Sequence, residues 1–360
     1  MTRLRGSVRV VGAGLLGTSI GLALSKSGID VIIEDSSPAS AALAIDYGAG
    51  RAARAGDAPN LIVVCVPPDM TAKVVASELA SYPNAIVTDV ASVKQPILEW
   101  LRETVSEKEL ARYVGSHPMA GREKGGAAAG RADLFIGRPW VIAPHQATQA
   151  SAVTVVTDLA LDLEASPVAM DASEHDHAVA AVSHVPQLIS SLLAARLIST
   201  SATEVALAGQ GLRDTTRIAA SDPKLWVQIL SANADQVAPI LKAFAADLDK
   251  VVAALEGIGQ PGALATISRA IEQGNRGVER IPGKHGGRHT NYATVTVMIE
   301  DKPGELARLL TEIGEIGINL EDLKLEHSPG AQIGLPEISV APELVEQLVS
   351  ELQARGWRLA

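Results

Sequence analysis

The residues Gly12-Ala13-Gly14-Leu15-Leu16-Gly17 follow directly on the apolar run Val8-Arg9-Val10-Val11 and precede a stretch of helical apolar spacing, Thr18 to Ser27. A strand, a glycine triplet and a helix in that order leave few folds open. They predict an α/β chain that begins with a Rossmann dinucleotide-binding domain. Gly12 allows the tight turn, Gly14 lets a pyrophosphate approach the backbone, and Gly17 lets the helix pack closely on the strand. The helix N-terminus offers amide protons and a favourable dipole to phosphate, and Leu15 and Leu16 of the preceding loop are cofactor-binding candidates with the glycines. A tight turn in a nucleotide-free domain is the plainer alternative.

A second strand, Asp30-Val31-Ile32-Ile33, ends at Glu34-Asp35-Ser36-Ser37. An acid about 20 residues past the glycines can accept from ribose hydroxyls. Asp35 is the first candidate and Glu34 the reserve. No arginine follows to receive a 2′-phosphate, so NAD is favoured over NADP. The runs Leu61–Val66 and Ala85–Val90 read as buried parallel strands. Pro67 would stand beside the cofactor at the end of the first, and Ser92 at the end of the second. Tyr113–Gly115 and Trp140–Ala143 read as further short strands.

The chain has 360 residues and a formal net charge of −10, which suggests two or three domains and no attraction for nucleic acid or an anionic membrane. Its apolar runs are short and interrupted, so none reads as a membrane span. The single cysteine, Cys65, excludes an intrachain disulfide and fits a reducing cytoplasm. The opening Met1-Thr2-Arg3 leads straight into a strand rather than a cleavable signal.

The segment Gly115 to Gly126 places His117 in a glycine-rich loop, with Arg122, Glu123 and Lys124 close by. Oxidising an alcohol with a nicotinamide requires a base for the hydroxyl proton, and histidine suits that task near neutral pH. Ser92 could fix its ring, or simply cap a turn. Arg122 and Lys124 would give a small anionic substrate local positive charge. Farther on, Arg217 could pair with Asp214 or Asp222. His175, His177 and His184 do not make a convincing metal set, so no metal is expected.

Several of these segments resemble the prephenate dehydrogenases of tyrosine biosynthesis, including their arogenate-using relatives. The matching stretches are GAGLLGTSIGLAL (12–24), VTDVASVK (87–94), GSHPMAGREKGG (115–126), GRPWVIAP (137–144), EHDHAVAAVSHVPQ (174–187) and GLRDTTRIAASDPKLWVQI (211–229). The resemblance implies NAD-dependent oxidative decarboxylation of a cyclohexadienol. In that scheme His117 receives the hydrogen bond of the ring hydroxyl, and Ser92 supports it and approaches the nicotinamide. Arg217 receives a substrate carboxylate, Glu123 and Asp214 shape access, and His184 faces the site. Gln187 replaces a second histidine common in the family, and Arg122 stands where threonine is common. Those two departures leave prephenate and arogenate both open. A dehydrogenase of other hydroxy acids, or a catalytically silent dinucleotide-binding regulator, are the competing functions.

From about Ser166 to Ile281 the pattern is helical, with long apolar stretches at 179–197 and 225–255, as expected of a buried bundle; it either forms a homodimer, which the resemblance favours, or is self-contained and covers the Rossmann domain. The expected division is a Rossmann domain at 1–165, a helical substrate and dimerisation domain at 166–281, a linker at 282–290 and a small module at 291–360. The last reads β-α-β-β-α-β, a ferredoxin-like order. Its DKPGEL and GINLEDL segments resemble the ACT domain, which implies an amino-acid effector, tyrosine first, near Gly304 and Asn319; a purely structural module that assists assembly is the alternative.

Overall fold

The computed structural model describes residues 2–121, 125–282, 292–327 and 333–360. It divides into two compact units, Met1–Thr200 with Thr215–Phe244, and Ser201–Asp214 with Ala245–Ala360. This division falls inside the helical segment rather than at residue 165 or 281.

The first unit is built on β1 (Val8–Val11), β2 (Val31–Glu34), β3 (Arg51–Ala52), β4 (Leu61–Val64), β5 (Ile86–Asp89), β6 (Tyr113–Pro118), β7 (Pro139–Ala143) and β8 (Ser166–Ala169). They form one sheet in the order β3-β2-β1-β4-β5-β6-β7-β8. Neighbours are parallel except β6 and β7, which run antiparallel. Residues 166–169, read from sequence as the start of the helical segment, are therefore an edge strand of this sheet. Successive side chains of a strand point to opposite faces, and β4 shows the consequence. Leu61 and Val63 join the core that includes Ile20 and Leu24 of helix Leu15–Lys26 and Val156 of helix Ala150–Asp162. Ile62 and Val64 join the core formed with Val75 and Leu79 of helix Pro68–Ser81 and Leu98 of helix Gln95–Thr104. Both faces are covered, which is why these strands are apolar without alternation.

Beyond β8 the chain becomes helical over Ala172–Val179, a π turn Ala180–His184, and Val185–Arg196. Pro186 lacks the amide proton that a regular helix needs there, and the widened turn lies just ahead of it. The stretch 172–199 is long and apolar enough, by length and composition, to cross a membrane, which its separate apolar runs do not reveal. It carries His175, Asp176 and His184, all buried within this unit. The 225–255 segment is two helices, Pro223–Ala232 and Ala234–Glu256, separated by Asn233.

In the second unit, β9 (Ala293–Glu300), β10 (Asp322–His327), β11 (Ile333–Val340) and β12 (Arg358–Leu359) form an antiparallel sheet in the order β10-β11-β9-β12. Helices Glu305–Ile316 and Val345–Ala354 follow β9 and β11, so the β-α-β-β-α-β order holds. The second strand begins at Asp322 rather than Ile318. Ile318 is buried against Leu309, Ile313 and Trp357 in the core of this unit. Of the expected linker, only Pro282 lies among the described residues.

Candidate active site

The glycine loop has the geometry its composition implies. Gly12 holds φ at +107°, and a Cβ there would meet the Cys65 carbonyl oxygen at 2.4 Å. At Gly17 a Cβ would lie 1.9 Å from the Gly12 carbonyl oxygen. At Gly14 it would meet nothing within 4 Å. The first and third glycines are therefore demanded by the protein itself, whereas the second faces open space. Gly14 caps helix Leu15–Lys26 without any side-chain bond, so the amides of that first turn, including those of Leu15 and Leu16, remain available to an anion.

Asp35 lies just past β2. It accepts from the Ala13 amide at 2.6 Å and from the Ser37 amide at 2.7 Å. It thus braces the glycine loop while each oxygen keeps further acceptor capacity. Glu34 is held by Arg9 at 2.6 Å, which leaves Asp35 as the ribose candidate. Pro67 caps helix Pro68–Ser81 at the end of β4 and is exposed. The open space at Gly14, the uncapped helix N-terminus and Asp35 together fit a dinucleotide.

His117 is the penultimate residue of β6, opposite Val141 of β7. The sequence places it in a loop, but pairing with β7 carries the strand three residues farther, to Pro118, which cannot donate to a ladder. Since β1, β4, β5 and β6 are parallel, His117 shares the C-terminal sheet edge with the glycine loop, where ligands of such sheets bind. Burial pushes the His117 imidazole well below its ordinary pKa, and His175, Lys94 and His184 add to the effect. It is therefore neutral at pH 7, with one ring nitrogen free to accept a proton.

Its partner is not the one expected. His117 Nδ1 lies 2.8 Å from His175 Nε2, with the rings edge to face. Ser92 sits partly buried beyond β5 and makes no hydrogen bond to His117. His175 Nδ1 is 2.7 Å from Asp176 Oδ1. Neighbouring residues on a helix do not normally face each other, so the His-Asp dipeptide gave no signal of this pairing. Beneath it, Lys94 is ion-paired with Asp89, and Tyr113 donates to the same carboxylate at 2.7 Å. All three are buried. Burial lowers the Lys94 pKa, while the Asp89 carboxylate opposes that shift.

His184 lies in the π turn, buried and edge-on to Trp226. Burial pushes its pKa down to about 4, with Asp176 opposing and His175 reinforcing. Asn233 Nδ2 donates to the Asp176 carbonyl at 2.8 Å and reaches His184 Nδ1 at 3.1 Å. A neutral His184 therefore carries its proton on Nε2. Asn233, absent from the sequence expectations, uses the helix break to join two parts of the site. Gln187 is buried, and its Nε2 reaches Ser221 Oγ at 2.7 Å and Ser191 Oγ at 3.3 Å.

Arg217 opens a 3₁₀ turn, is exposed, and has no acidic partner among the described residues. Asp214 accepts from Gln210 at 2.8 Å, and Asp222 caps helix Pro223–Ala232. Arg122 and Glu123 lie outside the described residues, as does Lys124. In the second unit, Gly304 caps helix Glu305–Ile316 with φ at +94°, and exposed Asn319 donates to Glu321 at 3.0 Å. Among the described residues no group of three or more His, Cys, Asp or Glu could hold a metal.

Residues 20–168 match the family described as prephenate dehydrogenase, nucleotide-binding domain, and residues 171–267 match prephenate dehydrogenase, dimerization domain. A Streptomyces niveus protein described as a probable prephenate dehydrogenase, NovF, is 35% identical over 355 residues, 97% of this chain and 98% of that protein. The cyclohexadienyl dehydrogenase of Zymomonas mobilis is 32% identical over 260 residues, 69% of this chain and 88% of its own. Among solved structures, the prephenate dehydrogenase of Aquifex aeolicus, in complex with hydroxyphenyl propionate and NAD+, superposes with a TM-score of 0.66 at 24% identity. That match covers 77% of this chain and 99% of the other.

Proposed function

This chain belongs to the prephenate dehydrogenase family, and from that premise we propose that it catalyses the NAD-dependent oxidative decarboxylation of prephenate to 4-hydroxyphenylpyruvate. The observation that carries this reading is His117, a desolvated, neutral histidine on the sheet edge that also carries the glycine loop. NAD, held by Gly12, Gly14, Leu15, Leu16, Gly17, Asp35, Pro67 and Ser92, supplies the hydride acceptor when bound. His117 takes the ring hydroxyl proton as the C–O bond becomes a carbonyl. The ring carboxylate leaves as carbon dioxide and the ring becomes aromatic, so the side chains need only orient the substrate and polarise its hydroxyl. Arg217 meets a substrate carboxylate with its planar fork. His184 and Gln187 line the same site, and by the family resemblance Arg122, Glu123 and Asp214 are the remaining substrate-binding candidates.

One observation favours arogenate as a second substrate. The amide nitrogen of Gln187 is taken up by Ser221 and Ser191. Its carbonyl oxygen is then left as an acceptor, which suits an ammonium better than a keto group.

In this reading residues 1–165 bind NAD, 166–281 bind substrate and form the homodimer, 282–290 connect, and 291–360 form an ACT module with tyrosine bound near Gly304 and Asn319. Dimerisation is supported by apolar side chains left exposed on the helices of both units. Leu192 and Ile198 in the first, and Leu248, Leu255 and Leu264 in the second, are at least half exposed. The single cysteine and the NAD chemistry support a cytoplasmic location.

The test is a comparison of kcat/KM for prephenate and arogenate, each with NAD and NADP, using the full chain. Turnover of prephenate with NAD is expected. No NAD reduction with either substrate would overturn the reading.

A further inference from the structure

We propose that His175 and Asp176 are positioning residues that set the tautomer of His117, so that its Nε2 is the bare, proton-accepting nitrogen. The proposal rests on the reading of His117 as the catalytic base.

The inference begins at Asp176. Its Oδ1 accepts the Lys94 amide at 2.8 Å and its Oδ2 the Gln95 amide at 2.8 Å. Both are backbone donors at the start of helix Gln95–Thr104, so the carboxylate is fixed in place and offers only acceptor capacity. Its 2.7 Å contact with His175 Nδ1 must therefore be an N–H of His175 donating to Oδ1. A neutral imidazole has one proton, so His175 Nε2 is an acceptor. That atom lies 2.8 Å from His117 Nδ1. With both imidazoles neutral, the hydrogen bond between these two nitrogens has His117 Nδ1–H as donor. His117 Nε2 is then unprotonated, which is the state a general base needs. A histidine's second nitrogen commonly fixes the role of its first in this way. Here the fixing passes through a second imidazole before it reaches a carboxylate.

The arrangement also serves the charged state. When His117 Nε2 takes a proton, its Nδ1–H still donates to His175, which remains paired with Asp176. No hydrogen bond has to be broken or remade as the charge appears. His175 and Asp176 are buried, at 0% and 2% exposure, so water does not compete for these contacts. The other groups facing His117, Lys94 and His184, offer no competing hydrogen bond to its Nδ1. Lys94 is paired with Asp89, and His184 Nδ1 is engaged by Asn233.

Long-range ¹⁵N–¹H correlation spectra of the full-length protein, with ¹⁵N-labelled histidine, read the tautomer directly. His117 is assigned by loss of its signals in His117→Gln. Spectra showing Nδ1 protonated and Nε2 bare at pH 7.5 are expected. An Nε2-protonated His117 would overturn the proposal whatever the activity. Kinetics give the second arm. His175→Ala should lower kcat by roughly 10- to 100-fold, the range in which a histidine's orienting partner acts, with KM nearly unchanged. His175→Gln, whose amide oxygen can still accept from Nδ1, should recover part of that loss. Wild-type kcat in His175→Ala refutes the positioning role alone, because the parent enzyme still turns over. Absence of turnover in the wild type refutes instead the reading of His117 on which it rests. NAD titration and thermal unfolding of each variant separate lost positioning from lost folding.

Discussion

The glycine loop offers a test in which two substitutions of the same kind should fail for different reasons. Gly17→Ala places a Cβ 1.9 Å from the Gly12 carbonyl oxygen, a backbone atom that can move only by opening the helix from β1. Overpacking of that kind costs about 1–3 kcal/mol, and for a unit of this size each kcal/mol shifts Tm by roughly 2–4 °C. Gly14→Ala meets nothing within 4 Å. Its φ of −77° suits alanine, so its cost is the weaker cap alone, under about 1 kcal/mol. If the open space at Gly14 is where the pyrophosphate lies, the added methyl should weaken NAD binding at least tenfold, about 1.4 kcal/mol. NAD at 100 times its Kd should stabilise the wild type by about 2.7 kcal/mol. At the same concentration Gly14→Ala should show a visibly smaller rise in Tm. Calorimetric titration with NAD and thermal unfolding with and without it give both quantities. Gly14→Ala with wild-type NAD affinity would refute the assignment of this loop as the pyrophosphate cradle. An unchanged Tm in Gly17→Ala would refute the packing argument.

His117→Ala should lower kcat by roughly 10²- to 10⁴-fold, the contribution of a general base, while Arg217→Ala should act mainly on KM. Unchanged kinetics in both would remove the site. The His117 imidazole is held well below its ordinary pKa of 6.5. The neutral base thus persists into more acidic solution, and activity is lost only as pH falls through that depressed value. The acid limb of kcat/KM should lie below pH 6.5, and a limb at or above it would contradict the desolvation seen here. Leu248→Asp and Leu255→Asp place charge on exposed apolar positions and should shift the protein toward monomer in sedimentation, whereas an unchanged mass would argue for another interface. Replacing Asn319 with Ala should weaken inhibition by tyrosine and leave uninhibited turnover intact; unaltered inhibition would remove that pocket.

Much of the first unit was legible because its signals are local. Glycines at three fixed offsets, apolar runs of four to six residues and an acid after the second strand each report on their own neighbourhood. Asp35 and Gly17 stand where the pattern puts them because β1, its loop and the following helix are contiguous in sequence. The small antiparallel sheet of the second unit was legible for the same reason, since alternation along β9 and β11 shows directly in their burial. The errors concern pairing across distance. Nothing near His117 says that β7 will extend its strand to Pro118, and nothing near Ser166 says that it will pair with Pro139.

The sequence by itself determined that this chain folds around a dinucleotide-type sheet with His117 near one strand end, because strand, turn and helix propensities are set by neighbouring residues. Only the tertiary structure decided what His117 touches. Its partner is 58 residues away and meets it at 2.8 Å, and that partner's own orientation depends on a carboxylate fixed by the amides of Lys94 and Gln95, more than 80 residues back along the chain. A hydrogen bond's direction depends on every donor and acceptor around it. Those neighbours exist only once β5, β6 and the helix after β8 have come together.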